Sequence, residues 1–361
     1  MKHPEFAHIE PYDDADVAAA IDRVTHNILF NIVCHKINPS INVRELKKTF
    51  RSVTTVDEFQ RKIMIPLLLY VAKTTMNKFT CDGFDQLDNT KSYLFVSNHR
   101  DITLDAAMLG VMLMRHNQPC CEISFGDNLI ANPFVNDLAR LNRMFPIFRG
   151  GTPRQALESS QLTSRYIRYA ITEKGRSVWI AQRNGRTKDG DDKTEPGLIR
   201  MLNMSHQEDF IESMSQLNIV PVAVSYEFEP CAFRKVNELR VKQEKGYYRK
   251  RKNEDIHSTL EGLLEQKGDV HFSICKPITR EEIEECSKCT IEPSTGKRSK
   301  NAPNAALAEL IDRRIYDGYK LHQTNINAYN QMKLLSDEEL DSAENMLLRL
   351  YAKPVENELN K

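Results

Sequence analysis

The sequence lacks the features that mark membrane-spanning, secreted or nucleic-acid-binding proteins. No stretch reaches the roughly 18–20 consecutive apolar residues that cross a bilayer, and the first residues lack the apolar core of a signal peptide. Lys and Arg together number 50, as do Asp and Glu, so the net charge is zero. A neutral chain has no general attraction to nucleic acid. We therefore expect a cytoplasmic protein that recognises charged partners through local patches and binds no nucleic acid.

Motifs of several enzyme classes are missing as well. The eight cysteines are too scattered for the disulfide framework of a small secreted domain. Cys286 and Cys289 form one C-x-x-C pair, without a second pair or a histidine pair at zinc-binding spacing. The serine-hydrolase motif Gly-x-Ser-x-Gly, the zinc-peptidase motif His-Glu-x-x-His and the dinucleotide-binding motif Gly-x-Gly-x-x-Gly are all absent. The sequence thus predicts neither a bound metal nor a cofactor.

Helical and β-type patterns divide the chain into three parts. Apolar residues recur at helical spacing over 15–33 and 43–78, with an interruption expected at Pro66. Short β-type runs then alternate with helical segments, at 93–97, 122–125, 177–181, 219–226 and 270–274. Helices are expected again at 281–285, 303–322 and 336–351. We predict a helical N-terminal region (1–79), an α/β domain with a layered mixed β-sheet flanked by helices (80–280), and a helical C-terminal region (281–361).

The first candidate site is the run SNHRDITLD at 97–105, where a predicted strand ends and a predicted helix begins. Backbone N–H groups and side chains at such a junction point into a cleft. A histidine followed closely by carboxylates can form a dyad, in which the carboxylate fixes the imidazole tautomer and stabilises the imidazolium. His99 is therefore a candidate general base, and a histidine that caps the helix is the alternative.

Two further segments place cations beside glycines. In FPIFRGGTPR (145–154), Arg149 and the adjacent glycine amides can converge on an anion close to a predicted helix start. In WIAQRNGRTKDG (179–190), a buried-type strand delivers three cations to a glycine-containing loop. For the first of these segments, a turn with a surface arginine is the alternative. A fourth segment, VPVAVSYE (220–227), is on its own a buried strand with a proline near its start.

The order of these four segments resembles the four-block pattern of the glycerol-phosphate and lysophospholipid acyltransferases, over about residues 80–280. The runs at 98–105 and 179–190 are similar to those of a bacterial branch without transmembrane segments. The resemblance implies transfer of a fatty acyl group to a hydroxyl of glycerol 3-phosphate or a lysophospholipid. The acyl thioester donor, acyl-CoA or acyl carrier protein, would be a co-substrate, and no cofactor is implied.

The resemblance also implies roles for individual residues. His99 would be the general base and Asp105 its orienting partner. Arg149 would hold the acceptor phosphate, and Pro221 would line the acyl-donor side. The predicted substrate-binding residues are Asn98, Arg100, Asp101, Phe148, Arg149, Gly150, Arg183, Asn184, Gly185, Arg186, Lys188 and Pro221.

Two departures from the family pattern leave alternatives open. His99 and Asp105 have five residues between them, whereas the family usually has four. Either the turn carries one extra residue, which we favour, or Asp101 is the partner of His99. The third block normally carries a glutamate where this chain has Asn184, which cannot pair with a cation. The alternatives are therefore a non-catalytic lipid- or acyl-thioester-binding protein, and transfer to an acceptor without phosphate.

Two segments are candidates for peripheral contact with an anionic membrane, at the inner face of the cytoplasmic membrane. Residues 63–72 are apolar with cationic flanks, and a buried core helix is the alternative. Residues 242–252 are rich in Lys and Arg, and could contact lipid headgroups or an acidic acyl carrier protein. A solvated basic helix or loop is the alternative there.

Overall fold

The computed structural model describes residues 3–127, 130–148, 150–206, 208–251, 254–340, 342 and 345–360, and for residues 337 and 338 it describes the backbone alone. Within these residues a seven-stranded mixed sheet is flanked by helices, with further helices in the N-terminal and C-terminal regions. The predicted fold class is therefore confirmed. The sheet begins at Met76, so the predicted boundary at residue 80 falls within the first strand.

The strand order of the sheet is β1-β7-β6-β2-β5-β3-β4. Neighbouring strands are parallel, except that β6 and β7 are antiparallel. The strands are β1 (Met76–Asp82), β2 (Leu94–Ser97), β3 (Glu122–Gly126), β4 (Met144–Ile147), β5 (Val178–Ala181), β6 (Ile219–Tyr226) and β7 (Gly268–Ile274). A separate hairpin pairs β8 (Ile291–Glu292) with β9 (Lys297–Arg298).

The helices before the last sheet strand are α1 (Asp14–His26), α2 (Ile28–Ile37), α3 (Val43–Arg51), α4 (Val56–Phe59), α5 (Ile65–Thr75), α6 (Leu104–Arg115), α7 (Pro133–Leu141), α8 (Pro153–Thr172), α9 (Pro196–Asn203), α10 (Phe210–Ser215), α11 (Ala232–Lys245) and α12 (Glu254–Leu264). The later helices are α13 (Arg280–Ser287), α14 (Ala302–Gly318), α15 (Gln323–Met332), α16 (Asp337–Leu340) and α17 (Met346–Leu359).

The sheet separates two hydrophobic cores, because successive side chains of a strand point to opposite faces. In β6, Ile219 and Ala223 belong to a core built with α8, α9 and α14. Val220, Val222 and Val224 belong to the other core, built with α5 and α6. A third cluster holds α1, α3 and α7 together in the N-terminal region.

The five predicted strands are present, and two edge strands were not predicted. The helical pattern over 43–78 ends at Thr75, and its last residues belong to β1. This strand pairs with a neighbour on one side only, and after Met76 its residues are exposed or partly exposed. β4 contains Pro146, a residue that edge strands tolerate because one side makes no ladder hydrogen bonds. β1 therefore lacks the continuous apolar run that identifies the central strands, and in β4 the proline argues against a strand.

The helix predicted over 15–33 is two helices. Asn27 has an extended backbone and its side chain accepts a hydrogen bond from the N–H of Leu29, so it ends α1 and caps α2. The interruption expected at Pro66 is a π-helical turn over Gln60–Met64, after which Pro66 occupies the first turn of α5, where its missing N–H is tolerated. α15 lies unpredicted between the two predicted C-terminal helices.

In the described part of the chain, no single helix has the length and hydropathy of a membrane-spanning segment. α1 and α2 satisfy the same criteria only together, as a pair bent by 78°.

Candidate active site

Three adjacent parallel strands bring the predicted motifs to one edge of the sheet. β2 lies between β6 and β5 and is parallel to both. His99 follows the end of β2, Arg183 follows the end of β5, and Tyr226 is the last residue of β6. The carboxyl ends of parallel strands lie at the same edge, which is where open α/β sheets bind ligands. Segments that are far apart in the sequence therefore meet around His99.

His99 and Asp105 form a hydrogen-bonded dyad. His99 Nδ1 lies 2.9 Å from Asp105 Oδ2. Asp105 is fully buried in the first turn of α6, whereas 14% of the His99 side chain is exposed. An ionised carboxylate only accepts hydrogen bonds, so Nδ1 carries the proton and Nε2 is left as the basic nitrogen. The dyad can therefore take up a proton from a group that reaches Nε2.

The loop after β5 packs against this histidine. The carbonyl of His99 accepts a hydrogen bond from the N–H of Thr187 at 2.8 Å. The imidazole stands edge-on to the Trp179 ring in β5, with 5.5 Å between the ring centroids. The indole Nε1 of Trp179 is buried and makes no hydrogen bond with the described residues. The first and third sequence blocks are thus in direct contact.

Four donors hold the Asp105 carboxylate. In addition to His99, Oδ2 accepts the backbone N–H groups of Arg100 at 2.6 Å and Asp101 at 2.9 Å. Oδ1 accepts the phenol of Tyr226 at 2.8 Å. Burial and the charge of Asp105 raise the pKa of Tyr226 well above its ordinary value, so the phenol keeps its proton and donates. The turn with five intervening residues therefore supplies two of the N–H donors itself.

Sequence reasoning did not identify Tyr226. The residue lies 121 positions from Asp105 and ends a strand that reads as buried throughout. No local pattern distinguishes its hydroxyl from that of any other strand tyrosine. The signal lies in the strand order, which puts the end of β6 beside the end of β2.

Asp101, the alternative partner of His99, has a different function in the fold. Its Oδ1 accepts the N–H groups of Thr103 at 2.8 Å and Leu104 at 2.7 Å, so it caps the start of α6. Its Oδ2 lies against Gly262 of α12 and makes no hydrogen bond with the described residues. Burial, reinforced by the nearby charge of Asp105, raises the pKa of Asp101. The contact with His99 belongs to Asp105.

Asn98 and Arg100, both predicted to bind substrate, are instead buried among protein groups. The Arg100 guanidinium pairs with Asp192 and, at 2.8 Å, with Glu229. Lys235 pairs with Glu229, and the Asn98 side chain donates to Asp192 at 3.0 Å. Burial alone would raise the pKa of Glu229, but the two cations hold it below its ordinary value. These partners are distant in the sequence, and substrate binding by the two side chains stays a prediction.

The cations of the loop after β5 differ in their surroundings. Lys188 pairs with Glu238 of α11, and burial lowers the pKa of this lysine. Arg183 donates from Nη1 to the carbonyl of Asp191 at 2.9 Å. Both side chains thus have protein partners, while Asn184 is exposed.

Arg186 is the cation of this loop that is best placed for a ligand. Gly185 has φ of +77°, a left-handed conformation that favours glycine, and it turns the chain into Arg186. The Nη1 of Arg186 is buried and makes no hydrogen bond with the described residues. Its charge opposes the rise in the pKa of Asp101 and of Cys231, so the guanidinium lies near the dyad turn. An anionic group would satisfy this buried donor.

The second block lies further along the same sheet edge. Phe148 follows β4 and packs, partly buried, against the α8 core, while Gly150 is exposed just before α8. Arg149 lies outside the described residues. β3 separates β4 from β5, so Phe148 and Gly150 belong to a part of the edge that does not adjoin β2.

Pro221 is buried near the start of β6, next to Val96 of β2. Its carbonyl accepts the N–H of Cys275 at 3.0 Å. The nitrogen and carbonyl of one strand residue face the same side. Pro221 lies opposite Cys275, the residue after the end of β7, so its missing N–H falls where the β6–β7 ladder ends.

Among the described residues, no group of three or more histidine, cysteine and acidic side chains is arranged to hold a metal ion.

One family model and one solved structure are similar to parts of this chain. No curated protein matches the sequence. Among solved structures, the chain is similar to the 1-acyl-sn-glycerophosphate (LPA) acyltransferase PlsC from Thermotoga maritima, with 12% identity and a TM-score of 0.40, over 84% of this chain and 95% of that one. Residues 78–225 match the family model described as Acyltransferase, a span that runs from β1 to β6 and includes the dyad and the Arg186 loop.

Proposed function

We propose that this protein is a glycerolipid acyltransferase that moves a fatty acyl group from acyl-CoA or acyl carrier protein to a hydroxyl of glycerol 3-phosphate or a lysophospholipid. The observation that carries the proposal is the His99–Asp105 dyad, with its 2.9 Å hydrogen bond, inside a segment that matches the acyltransferase family. The reaction needs the acyl thioester as co-substrate and no cofactor. We further propose that the enzyme works at the inner face of the cytoplasmic membrane without spanning it.

The proposed mechanism is direct transfer. His99 Nε2 takes the proton of the acceptor hydroxyl as the oxygen attacks the thioester carbonyl carbon. The tetrahedral intermediate collapses by breaking the carbon–sulfur bond, and the imidazolium returns the proton to the departing thiolate. Asp105 stabilises the imidazolium and keeps Nδ1 protonated throughout. Because three donors besides His99 hold Asp105, the carboxylate presents a fixed acceptor that orients the imidazole.

Arg186 is the residue that we propose for the acceptor phosphate. Its buried Nη1 has no protein acceptor in the described residues, and it lies on the dyad side of the loop. A guanidinium pairs with phosphate through directed hydrogen bonds that an ammonium does not reproduce. Arg183 and Lys188 then contribute positive potential rather than direct contacts, because their side chains already have partners.

The test is turnover by the purified protein. Long-chain acyl-CoA or acyl carrier protein is combined with a panel of glycerol 3-phosphate, lysophospholipids and acceptors without phosphate, and mass spectrometry measures the acylated product. His99→Ala is expected to lose activity by about 10²–10⁴-fold, the usual contribution of a general base. Activity that survives this substitution would refute the assignment of His99.

Arg186 is tested by a matched set. Arg186→Ala is expected to lose activity on phosphate-bearing acceptors selectively, and Arg186→Lys to recover it in part. Lys193→Ala removes an exposed cation from the same loop and is the control. An equal loss on acceptors with and without phosphate would argue against phosphate contact. Tight binding of lysophosphatidate or acyl-CoA without any turnover would favour the non-catalytic alternative.

A further inference from the structure

Helix α2 turns two large aliphatic side chains into solvent. Ile28 is 78% exposed and Ile32 is 55% exposed, and their spacing places them one above the other on one face of the helix. Phe30 is the buried residue of α2, and it packs edge-on against Phe50 of α3 with 5.0 Å between ring centroids. Adjacent exposed isoleucines on a helix that is otherwise anchored mark an interaction surface.

The neighbouring helix α3 supplies positive charge beside α2. Its cations line, together with Asn31 of α2, a depression of about 490 Å³, and they are Arg44, Lys47, Lys48 and Arg51. The Lys47 ammonium lies 5.4 Å from the ring centroid of Phe30, so the basic face and α2 adjoin. Residues 28–51 contain five Lys and Arg residues and one acid, Glu45, in a chain whose net charge is zero. Helices α2 and α3 together therefore expose both aliphatic and basic side chains.

The two segments that the sequence suggested for membrane contact are less suitable for it than α2 and α3. In α5, the side chains of Leu68, Val71 and Ala72 are buried in the α5–α6 core, so the apolar face of residues 63–72 is already covered. The alternative of a core helix is thus confirmed for that segment. In residues 242–252, Lys242 pairs with Glu238 and Lys250 pairs with Asp255, which reduces the charge that the segment offers.

We infer that α2 and α3 form a docking surface for an anionic lipid bilayer. α2 lies in the plane of the interface with Ile28 and Ile32 among the acyl chains, and the α3 cations meet the headgroups. Charge complementarity and the exposed aliphatic pair favour a lipid surface over an acidic protein. The choice of a bilayer also rests on the proposed function, because lysophospholipid acceptors reside there.

The docking surface is connected to the candidate active site. α2 packs against α12, and α12 carries Gly262, which lies against Asp101 in the dyad turn. A bilayer bound at α2 therefore lies one helix away from the turn that holds His99. This arrangement would present membrane-resident acceptors to the enzyme without a membrane-spanning segment.

The experiment measures binding to vesicles without turnover, so that it does not depend on the proposed activity. The purified chain is sedimented with vesicles of phosphatidylcholine mixed with anionic phosphatidylglycerol, and with vesicles of phosphatidylcholine alone. Arg44→Gln/Arg51→Gln is expected to weaken the partition onto anionic vesicles about thirty-fold, from the usual contribution of two cations near such a surface. The control Arg280→Gln/Lys288→Gln removes two exposed cations from α13 and is expected to bind like wild type.

The role of Ile28 and Ile32 is tested by how deeply residue 28 enters the bilayer. The chain has one tryptophan, Trp179, and it is buried, so the wild type gives a constant background. Ile28→Trp is expected to be quenched by lipids brominated on the acyl chains, and Ile28→Asn to weaken binding. Leu334→Asn changes a residue that is 84% exposed on the C-terminal side of the chain, and it is the matched control for loss of apolar surface.

Three results would overturn the proposal. One is wild-type protein that does not bind anionic vesicles. Another is binding that is lost in Lys245→Gln/Arg249→Gln and kept in Arg44→Gln/Arg51→Gln. The third is an Arg44- and Arg51-dependent complex with acyl carrier protein in the absence of vesicle binding, which would make this a protein-docking surface. If vesicles bind as expected and no acceptor is acylated, the proposed function fails while the docking surface stands.

Discussion

Removal of the Tyr226 hydroxyl is the sharpest test of how the dyad is held. Tyr226→Phe keeps the ring in the core and deletes the donor that lies 2.8 Å from Asp105 Oδ1. The other oxygen keeps its three donors, so the carboxylate stays in place. The substitution therefore isolates one hydrogen bond to a buried charge.

The expected magnitude follows from that hydrogen bond. A hydrogen bond to a charged group contributes about 1.5–3 kcal/mol, and a buried oxygen that loses its partner costs at least as much. We expect the free energy of unfolding to fall by about 2 kcal/mol, and kcat/KM to fall about tenfold, because the dyad remains but is less well oriented. A carboxylate with fewer donors attracts the imidazolium more strongly. The acidic limb of the pH–rate profile is therefore expected to move to higher pH.

The assay combines urea denaturation with acyl-transfer rates measured between pH 5 and 9. Tyr319→Phe is the matched control, because the Tyr319 hydroxyl is buried and makes no hydrogen bond with the described residues. That substitution is expected to leave stability unchanged or slightly raised. If Tyr226→Phe behaves like Tyr319→Phe in stability and in the pH profile, the hydroxyl does not support Asp105 and the reasoning fails.

Two further predictions concern stability. Burial raises the pKa of Asp312 to about 7, whereas the carboxyl of the unfolded chain ionises near its ordinary value. The protonated group therefore stabilises the folded state at low pH, and this stabilisation is lost as the pH rises through about 7. Asp312→Asn keeps an acceptor for the N–H of Thr194 and removes the titration. Relative to wild type, the free energy of unfolding of this variant is expected to be about 2 kcal/mol higher at pH 8 than at pH 5, as measured by chemical denaturation. A difference between the two proteins that does not change with pH would contradict this. Gly262→Ala is expected to cost about 1–3 kcal/mol and to lower activity, because the new Cβ overlaps Asp101 Oδ2. Gly197→Ala, whose Cβ would meet nothing within 4 Å, is expected to be neutral or stabilising, and equal thermal shifts in both variants would exclude the clash.

The central strands were predictable, and the edges of the sheet were not. β2, β5 and β6 are covered on both faces, so they read as short apolar runs. β1 follows α5 without a break, and its mostly exposed residues lack the apolar run that marks a central strand. The break at Asn27 depends on a side chain that caps the next helix, a choice that periodicity alone does not reveal.

Part of the candidate site was likewise predictable from the sequence, and part was not. The His99–Asp105 pair was predictable, because both residues lie in one turn. The burial of Arg100 was not predictable, since Asp192 and Glu229 are about ninety or more residues away in the chain. A cation within a catalytic motif looks like a ligand for substrate until its protein partners are known. Local sequence thus identifies residues that act together within a turn, and tertiary structure decides which charges are left for substrate.

The position of β2 between β5 and β6 has a consequence for how the protein is made. A growing chain contains His99 and Asp105 long before it contains the two strands that flank them, and Tyr226 arrives 121 residues after Asp105. Contacts at such separation are slow to form, because a long loop must close first. Until then both edges of β2 are open to pairing with other chains. Acyl-transfer activity should therefore be among the last properties to return on refolding, after the helices and the N-terminal cluster have formed.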